Sequence, residues 1–210
     1  MENKMKYDLV IWDIDGTLLN TEEGLVSAYQ CTIDKLHLPS KSVNEIKSFI
    51  GPVPQTVFIQ QFAMTPDKAQ NAANIFRDRY KNYDLLKAYP YDGILNVLQR
   101  IKSLGIKQAV ATNKRQDYAT DICRHFGIDK FCEPILGPDN VTSKTKAELI
   151  KDCILETKSQ RAVMIGDTNS DKQAAEIAGI DFIGVNYGFG FDDVKDYADT
   201  SKDILRKLEM

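Results

Sequence analysis

The fold is decided by Tyr7-Asp8-Leu9-Val10-Ile11-Trp12-Asp13-Ile14-Asp15-Gly16-Thr17-Leu18, an apolar run followed by two aspartates and a glycine. The run at 7–12 is short and rich in apolar side chains, and it predicts a buried strand. Alternate side chains of an extended chain face the same way, so Asp13 and Asp15 present two carboxylates from the end of that strand. Two charges this close repel unless a cation, a shared proton or solvent relieves them. The stretch therefore predicts a divalent metal site.

Length and composition are those of an ordinary globular chain. The protein has 210 residues, 43% hydrophobic and 27% charged, which suits one domain or a core with a smaller insertion. The net charge of −3 gives no electrostatic reason to expect nucleic acid, no apolar run approaches a membrane span, and the N-terminal residues lack a signal core. The scattered cysteines are interpreted as reduced structural thiols: Cys31, Cys123, Cys132 and Cys153. We expect a cytoplasmic protein with neither nucleic acid nor membrane as a partner.

Strands and helices alternate along the second half of the chain. From residue 107 onward, the pattern predicts strands at 107–112, 134–136, 161–165 and 181–185, with helices between them. This repeating order predicts an α/β fold with a Rossmann-like parallel sheet, right-handed crossovers and helices on both faces.

Between the first strand and a helix at 92–104, the sequence carries only helical signals. Helices are predicted from Glu22, from a capping box at Ser42, and from Thr65, which precedes a proline at a first helical position. About four helices are expected in this segment, and no strand is predicted there.

The helical segment is interpreted as an inserted cap. It follows the strand that carries the two aspartates, which places it in sequence beside the predicted site. The domain prediction is a Rossmann-like core of residues 1–19 and 87–210 with a helical cap of residues 20–86. Extra helices packed on the sheet are the alternative.

Polar side chains follow three of the predicted strands. In an open parallel sheet, ligands bind outside the carboxyl ends of the strands, so these positions are candidates for one site. An Asp-Gly or Thr-Asn pair at one strand end has an ordinary explanation as a turn or a helix cap. Such polar groups at three strand ends of one chain favour a functional site. The candidates are Asp13, Asp15, Thr112, Asn113, Asp167 and Asp171.

These segments resemble motifs of the haloacid dehalogenase superfamily. Residues 13–18 look like its first motif, DxDGT[LV], residues 111–114 like its second, and residues 166–171 like its fourth, GDxxxD. The resemblance spans essentially the whole chain, and the insertion is similar to the family's C1-type helical cap. Phe49–Pro52 and Val185–Gly190 resemble the phosphoglycolate phosphatase-like branch.

The resemblance implies a Mg²⁺-dependent phosphatase that hydrolyses a small phosphate monoester through an aspartyl-phosphate intermediate. Asp13 would be the nucleophile, and Asp15 would act as acid and then as base. The metal would be held by the Asp13 carboxylate, the Asp15 main-chain carbonyl and Asp167. Thr112 and the amide of Asn113 would bind phosphoryl oxygens.

The family's third motif is a lysine, and here the common Lys-Pro pattern is absent. Lys144 and Lys146 are the two candidates, and Lys146 is preferred because the Ala-Glu-Leu-Ile after it matches a variant without the proline. A lysine in a first helical turn opposes the helix dipole, and a bound anion would explain it. Lys146 would thus serve catalysis and substrate binding. Asp171 is expected to orient water or a lysine from behind the metal ligands.

Two other functions stay open at this point. A phosphomutase would use the same residues to pass the phosphoryl group to a sugar hydroxyl, and a binding protein would keep the fold without catalysis. The expected partner is a small phosphorylated metabolite, and phosphoglycolate, 5′-nucleotides and sugar phosphates remain alternatives. The chain is expected to be a monomer or a homodimer.

Overall fold

The computed structural model describes residues 6–139, 144–191 and 194–209, so residues 1–5, on which the signal-peptide expectation rests, lie outside it. Its strands are β1 (Leu9–Trp12), β2 (Leu19–Asn20), β3 (Tyr89–Pro90), β4 (Lys107–Ala111), β5 (Ile135–Leu136), β6 (Ala162–Gly166) and β7 (Asp181–Gly184). Five of them form a parallel sheet in the order β5-β4-β1-β6-β7. The predicted α/β fold with a parallel sheet is confirmed.

The helices are α1 (Glu22–Lys35), α2 (Val43–Lys47), α3 (Pro54–Phe62), α4 (Pro66–Arg79), α5 (Ile94–Ser103), α6 (Gln116–His125), α7 (Lys146–Thr157), α8 (Asn169–Ala178) and α9 (Ser201–Glu209). A π-helical turn follows α4 at Tyr80–Asp84, and a 3₁₀ turn follows α6 at Ile128–Lys130. None of the helices described above combines the length and the apolar character that a bilayer crossing requires.

β1 is the centre of the sheet, and all four of its residues are buried. A central parallel strand is covered on both faces, which explains its continuous apolar sequence. Leu9 and Ile11 share one buried cluster with Met164 of β6, Leu149 of α7 and Ala175 of α8. These contacts hold the helices that carry the candidate site residues against the sheet.

The strand order places the carboxyl ends of three strands side by side. From β1 the chain continues to β4 and β5 on one side of the sheet, and then crosses to β6 and β7 on the other. The order therefore reverses at β1, and such a switch point is where open α/β sheets bind ligands.

The absence of strands before the helix at 92–104 was a wrong prediction. Leu19 pairs with Pro90 and Asn20 with Tyr89 in an antiparallel ladder. Two-residue strands are too short to show an alternating pattern, and Pro90 reduces the strand signal further.

The structure divides the chain into two compact units. One, here called the core unit, is Met1–Asn20 with Tyr89–Met210, and the other, the helical unit, is Thr21–Ala88. The helical unit has its own aromatic core, in which the Tyr29 ring lies 4.3 Å from Phe76 and 5.5 Å from Phe49 between ring centroids.

A buried carboxylate holds the end of the helical unit together. Asp84 has no exposed side-chain surface, and it accepts hydrogen bonds from Arg79 Nε at 2.7 Å and Ser27 Oγ at 3.0 Å. The ammonium of Lys87 lies 2.8 Å from Asp84 Oδ1. Burial alone would raise the pKa of Asp84, but these donors outweigh burial and lower it.

The four cysteines are free thiols, and all except Cys31 are buried. Burial raises the pKa of Cys123 and that of Cys153 to about 12, which keeps both thiols protonated at neutral pH.

Candidate active site

The switch point of the sheet gathers the side chains that follow β1, β4 and β6. Asp13 directly follows β1, Thr112 follows β4 and Asp167 follows β6, and all three are buried. The backbone N–H of Asp13 donates to Ile165 O at 3.0 Å, and that of Thr112 to Leu136 O at 3.0 Å. The sheet ladder therefore continues one residue beyond the strands and fixes where these side chains begin.

Three buried carboxylates meet at this edge. Asp13, Asp167 and Asp171 each place a carboxylate oxygen within 4.8 Å of the others. Asp15 lies at the margin of this cluster with 20% of its side chain exposed. Of the predicted phosphate-binding residues, Thr112 is almost completely buried and Asn113 is half-buried.

Lys146 lies among the carboxylates. Its side chain is 5% exposed, and its Nζ lies 3.0 Å from Asp13 Oδ1 and within ion-pair contact of Asp171 Oδ1. The lysine is the first residue of α7, which a capping box between Thr145 and Glu148 begins. Lys144, by contrast, is 44% exposed and pairs with Asp152.

The charges of the cluster change each other's ionisation. Burial raises the pKa of Asp13 to about 6, with Lys146 opposing and Asp171 and Asp15 adding to the rise. Burial and the charge of Asp13 raise the pKa of Asp167 to about 7. Burial would lower the pKa of Lys146, but the charges of Asp13 and Asp171 prevail and raise it. The carboxylates therefore resist being ionised together.

The donor set fits a hard divalent cation. Four carboxylates face two ammonium groups, since Asp15 pairs with Lys114 while Lys146 is shared by Asp13 and Asp171. When all four carboxylates are ionised, two negative charges remain in this group, which is the charge that one divalent cation neutralises. Asp13 Oδ1 is also buried and accepts no hydrogen bond from a described residue beyond its ion pair. Mg²⁺ prefers such oxygen ligands.

Asp167 is positioned by two loops. Its Oδ1 accepts a hydrogen bond from Thr17 Oγ1 at 3.1 Å, and its Oδ2 accepts one from the Phe189 N–H at 2.7 Å. Gly16 has φ +79°, and a Cβ there would lie 2.1 Å from Asp167 Oδ2, so the close approach requires glycine. A Cβ on Gly188 would likewise lie 2.3 Å from Asp167 Cβ.

Asp171 connects a helix cap to Lys146. Its Oδ2 accepts hydrogen bonds from the Thr168 N–H at 3.0 Å and the Thr168 hydroxyl at 2.6 Å. The Asp171 N–H in turn donates to Thr168 Oγ1 at 3.3 Å, so the two residues form the capping box of α8. Its Oδ1 accepts from Lys146. The carboxylate is thus fixed on one side by the helix and holds the lysine with the other.

Sequence reasoning missed three residues of this arrangement. Lys114 has a side chain only 3% exposed, and its Nζ lies 3.0 Å from Asp15 Oδ1. Thr17 and Phe189 hold Asp167, as described above. Lys114, Thr17 and the glycine-rich segment at 185–190 were all inside recognised motifs, but the motif pattern assigned no contact to them.

The family model described as Haloacid dehalogenase-like hydrolase matches residues 10–185. The chain belongs to this family. The haloacid dehalogenase-like chain is 31% identical over 193 residues to a 5′-nucleotidase from Pseudomonas aeruginosa, covering 90% of this chain and 87% of that one. It is 29% identical over 189 residues to a phosphoglycolate phosphatase from Thiobacillus denitrificans, covering 86% and 83%.

Among solved structures, the family member resembles Protein Tyrosine Kinase A (PtkA) from Mycobacterium tuberculosis. The TM-score is 0.85 at 27% identity, and the match covers 99% of this chain and 100% of that one. The predicted resemblance to the haloacid dehalogenase superfamily is thereby confirmed. One of these relatives is named as a phosphoglycolate phosphatase.

Proposed function

We propose that this hydrolase is a phosphatase that cleaves small phosphate monoesters, with Asp13 as its nucleophile. The observation that carries the proposal is the buried cluster in which Lys146 lies between Asp13 and Asp171 at the switch point of the sheet. The similarity to a 5′-nucleotidase and to a phosphoglycolate phosphatase supports the same activity.

In the first half of the reaction, a carboxylate oxygen of Asp13 attacks phosphorus and the bond to the substrate alcohol breaks. Asp15, two residues further on, gives its proton to the departing alcohol oxygen. Asp13 is left as an aspartyl-phosphate. Lys146, with Thr112 and the amide of Asn113, stabilises the negative charge on the phosphoryl oxygens.

In the second half, Asp15 accepts a proton from a water molecule as the water oxygen attacks the phosphorus. The bond between phosphorus and Asp13 breaks, so inorganic phosphate leaves and Asp13 returns to its carboxylate form. Asp15 is then protonated again and ready for the next substrate. Splitting one difficult displacement into two is the advantage of a carboxylate nucleophile.

Mg²⁺ is the proposed cofactor. The carboxylates of Asp13 and Asp167 and the main-chain carbonyl of Asp15 would hold it, while Asp171 supports Lys146 from behind. When bound, the ion would supply positive charge that reduces the repulsion between the anionic nucleophile and the phosphate.

The helical unit is proposed to act as the cap that selects the substrate. Its separate aromatic core and its insertion directly after the motif at 13–18 support this role. A small phosphorylated metabolite, a cytoplasmic location and a monomer or homodimer belong to the same proposal.

The test is release of inorganic phosphate from a panel of monoesters in the presence of Mg²⁺. The panel contains 5′-nucleotides, phosphoglycolate, sugar phosphates and phosphotyrosine. We expect Asp13→Asn to lower kcat by about 10³-fold or more, as loss of a nucleophile does, and Asp152→Asn, a surface aspartate paired with a lysine, to retain activity. Acid-quenched protein should carry ³²P from labelled substrate only when Asp13 is present.

Three results would contradict the proposal. Isomerised sugar phosphate without free phosphate would indicate a phosphomutase. Transfer of ³²P to tyrosine in place of release would indicate a kinase, the activity named for PtkA. No turnover of any ester, with ligand binding retained by Asp13→Asn, would indicate a binding protein.

A further inference from the structure

Lys114 is a buried charge that the proposed reaction steps leave without a role. Its side chain is 3% exposed, and an ammonium at such a site is costly unless an opposite charge meets it. Asp15 Oδ1 meets it at 3.0 Å. The aspartate itself keeps 20% of its side chain exposed, so it remains accessible from the site.

The backbone of Lys114 is held on both sides. Its N–H donates to Thr112 Oγ1 at 3.2 Å, which ties it to the end of β4. Its carbonyl oxygen would lie 2.2 Å from a Cβ on Gly137, so the segment after β5 packs directly against it. Gly137 is in turn fixed by the Gln116 side chain, whose Oε1 accepts its N–H at 2.8 Å. The backbone from which the Lys114 side chain extends is therefore held in place on both sides.

Two lysines pair with three of the four aspartates of the cluster. Lys146 pairs with Asp13 and Asp171, whereas Lys114 pairs with Asp15. We infer that Lys114 is a positioning residue, which holds the Asp15 carboxyl group in one orientation for proton transfer to the departing alcohol. This inference rests on the proposed phosphatase activity and on the role of Asp15 within it.

The expected size of the effect follows from orientation. An acid that is free to rotate spends only part of its time where the leaving oxygen needs a proton, and a misplacement of about 1 Å can cost about 10²-fold in rate. The loss depends on the ester. Phenolate is a strong base and needs the proton, whereas p-nitrophenolate leaves readily without it.

The experiment compares kcat/KM of Lys114→Met for phenyl phosphate and p-nitrophenyl phosphate, since this constant reports the steps up to release of the alcohol. We expect a loss of about 10- to 100-fold for phenyl phosphate and less than about threefold for p-nitrophenyl phosphate. Lys151→Met, which removes an exposed charge from α7 of the same unit, should change neither.

A double-mutant cycle identifies the residue through which Lys114 acts. In an Asp15→Asn background, Lys114→Met should cause no further loss with either ester, because the proton donor that it positions is already absent. An equal loss for both esters, or an additive loss in that background, would overturn the inference.

A folding control completes the test. If Lys114→Met lacks a cooperative thermal transition, Lys114→Gln takes its place, since glutamine is too short to reach Asp15 but remains polar, and the same selective loss is expected. Failure of the proposed function would appear in the wild-type protein, as no Asp13-dependent release of phenol. Failure of this inference leaves wild-type turnover intact.

Discussion

Two lysines lie in different surroundings although they are only two positions apart, Lys144 just before α7 and Lys146 at its first residue. Lys146 is enclosed by Asp13 and Asp171, and Lys144 reaches Asp152 on the surface. We expect Lys146→Ala to lower kcat/KM by about 10²- to 10³-fold, as loss of a charge-stabilising donor does, and Lys144→Ala to leave it within about twofold, since surface ion pairs contribute little. Steady-state kinetics on the best ester of the panel measures both.

Equal losses in the two variants would contradict this assignment, and a collapse in Lys144→Ala alone would reverse it. Thermal melting of each variant shows that the comparison is made between folded proteins. The matched pair tests position, because both changes remove the same charge within two residues of each other.

Asp84 makes the stability of the helical unit depend on pH. Its pKa is lowered by Arg79 and Lys87, so its ionised form favours the folded state at pH values above about 4, the ordinary Asp range. That stabilisation is lost as pH falls below 4 through the lowered pKa. Asp84→Asn should therefore cost about 1–3 kcal/mol in free energy of unfolding at pH 7, given that its partners are partly exposed.

Denaturant unfolding of wild type and Asp84→Asn at pH 7 and pH 3 measures the effect, and amide exchange in α1 and α4 locates it. The difference between the two proteins should shrink at pH 3. A difference that is unchanged or larger at pH 3 would show that the carboxylate charge does not contribute.

At the scale of residues, the sequence predicted which side chains follow the strands but not what holds them. Asp13, Thr112 and Asp167 were found because a strand pattern ends beside each of them. The contact between Thr17 and Asp167 joins positions 150 residues apart, and no local period records such a pair. Lys114 was missed for the same reason, because its partner lies on another strand end.

Among the elements, α8 begins with a capping box that also serves the site. Thr168 caps the helix through Asp171, the same carboxylate that contacts Lys146. Ser42 and Glu45 form an equivalent box at α2, in the helical unit. Thr168→Ala and Ser42→Ala should each cost about 1 kcal/mol of stability, but only Thr168→Ala should lower turnover.

Thermal melting and kinetics on the two variants make this comparison. Equal turnover in both would show that the cap of α8 contributes to stability alone. The box at Ser42 was predicted from sequence and is confirmed, since a capping box lies within four residues and needs no tertiary contact. The ladder of β2 and β3 was not predicted, since its pairing depends on residues separated by the whole helical unit.

For the whole molecule, the division into two units predicts that the core unit folds alone. Replacing residues 21–88 by a short glycine-serine linker leaves the parallel sheet and its helices complete. Trp12 is the single tryptophan and is fully buried in β1, so its emission reports the core unit directly. We expect blue-shifted emission and a cooperative thermal transition in the shortened chain.

Red-shifted emission and a gradual melting curve would show that the core unit needs the helical unit in order to fold. The control is the full-length protein, in which the same fluorophore is followed under the same conditions.

The pairing of Asn20 with Tyr89 also bears on how such a protein can change over time. The chain leaves and re-enters the core unit at two neighbouring backbone positions that pair in the antiparallel ladder of β2 and β3. An insertion of any length or sequence between them has to span only the same short distance from Asn20 to Tyr89. Under the proposed function, segments that select different esters can therefore be exchanged there while the aspartates and lysines of the candidate site keep their places.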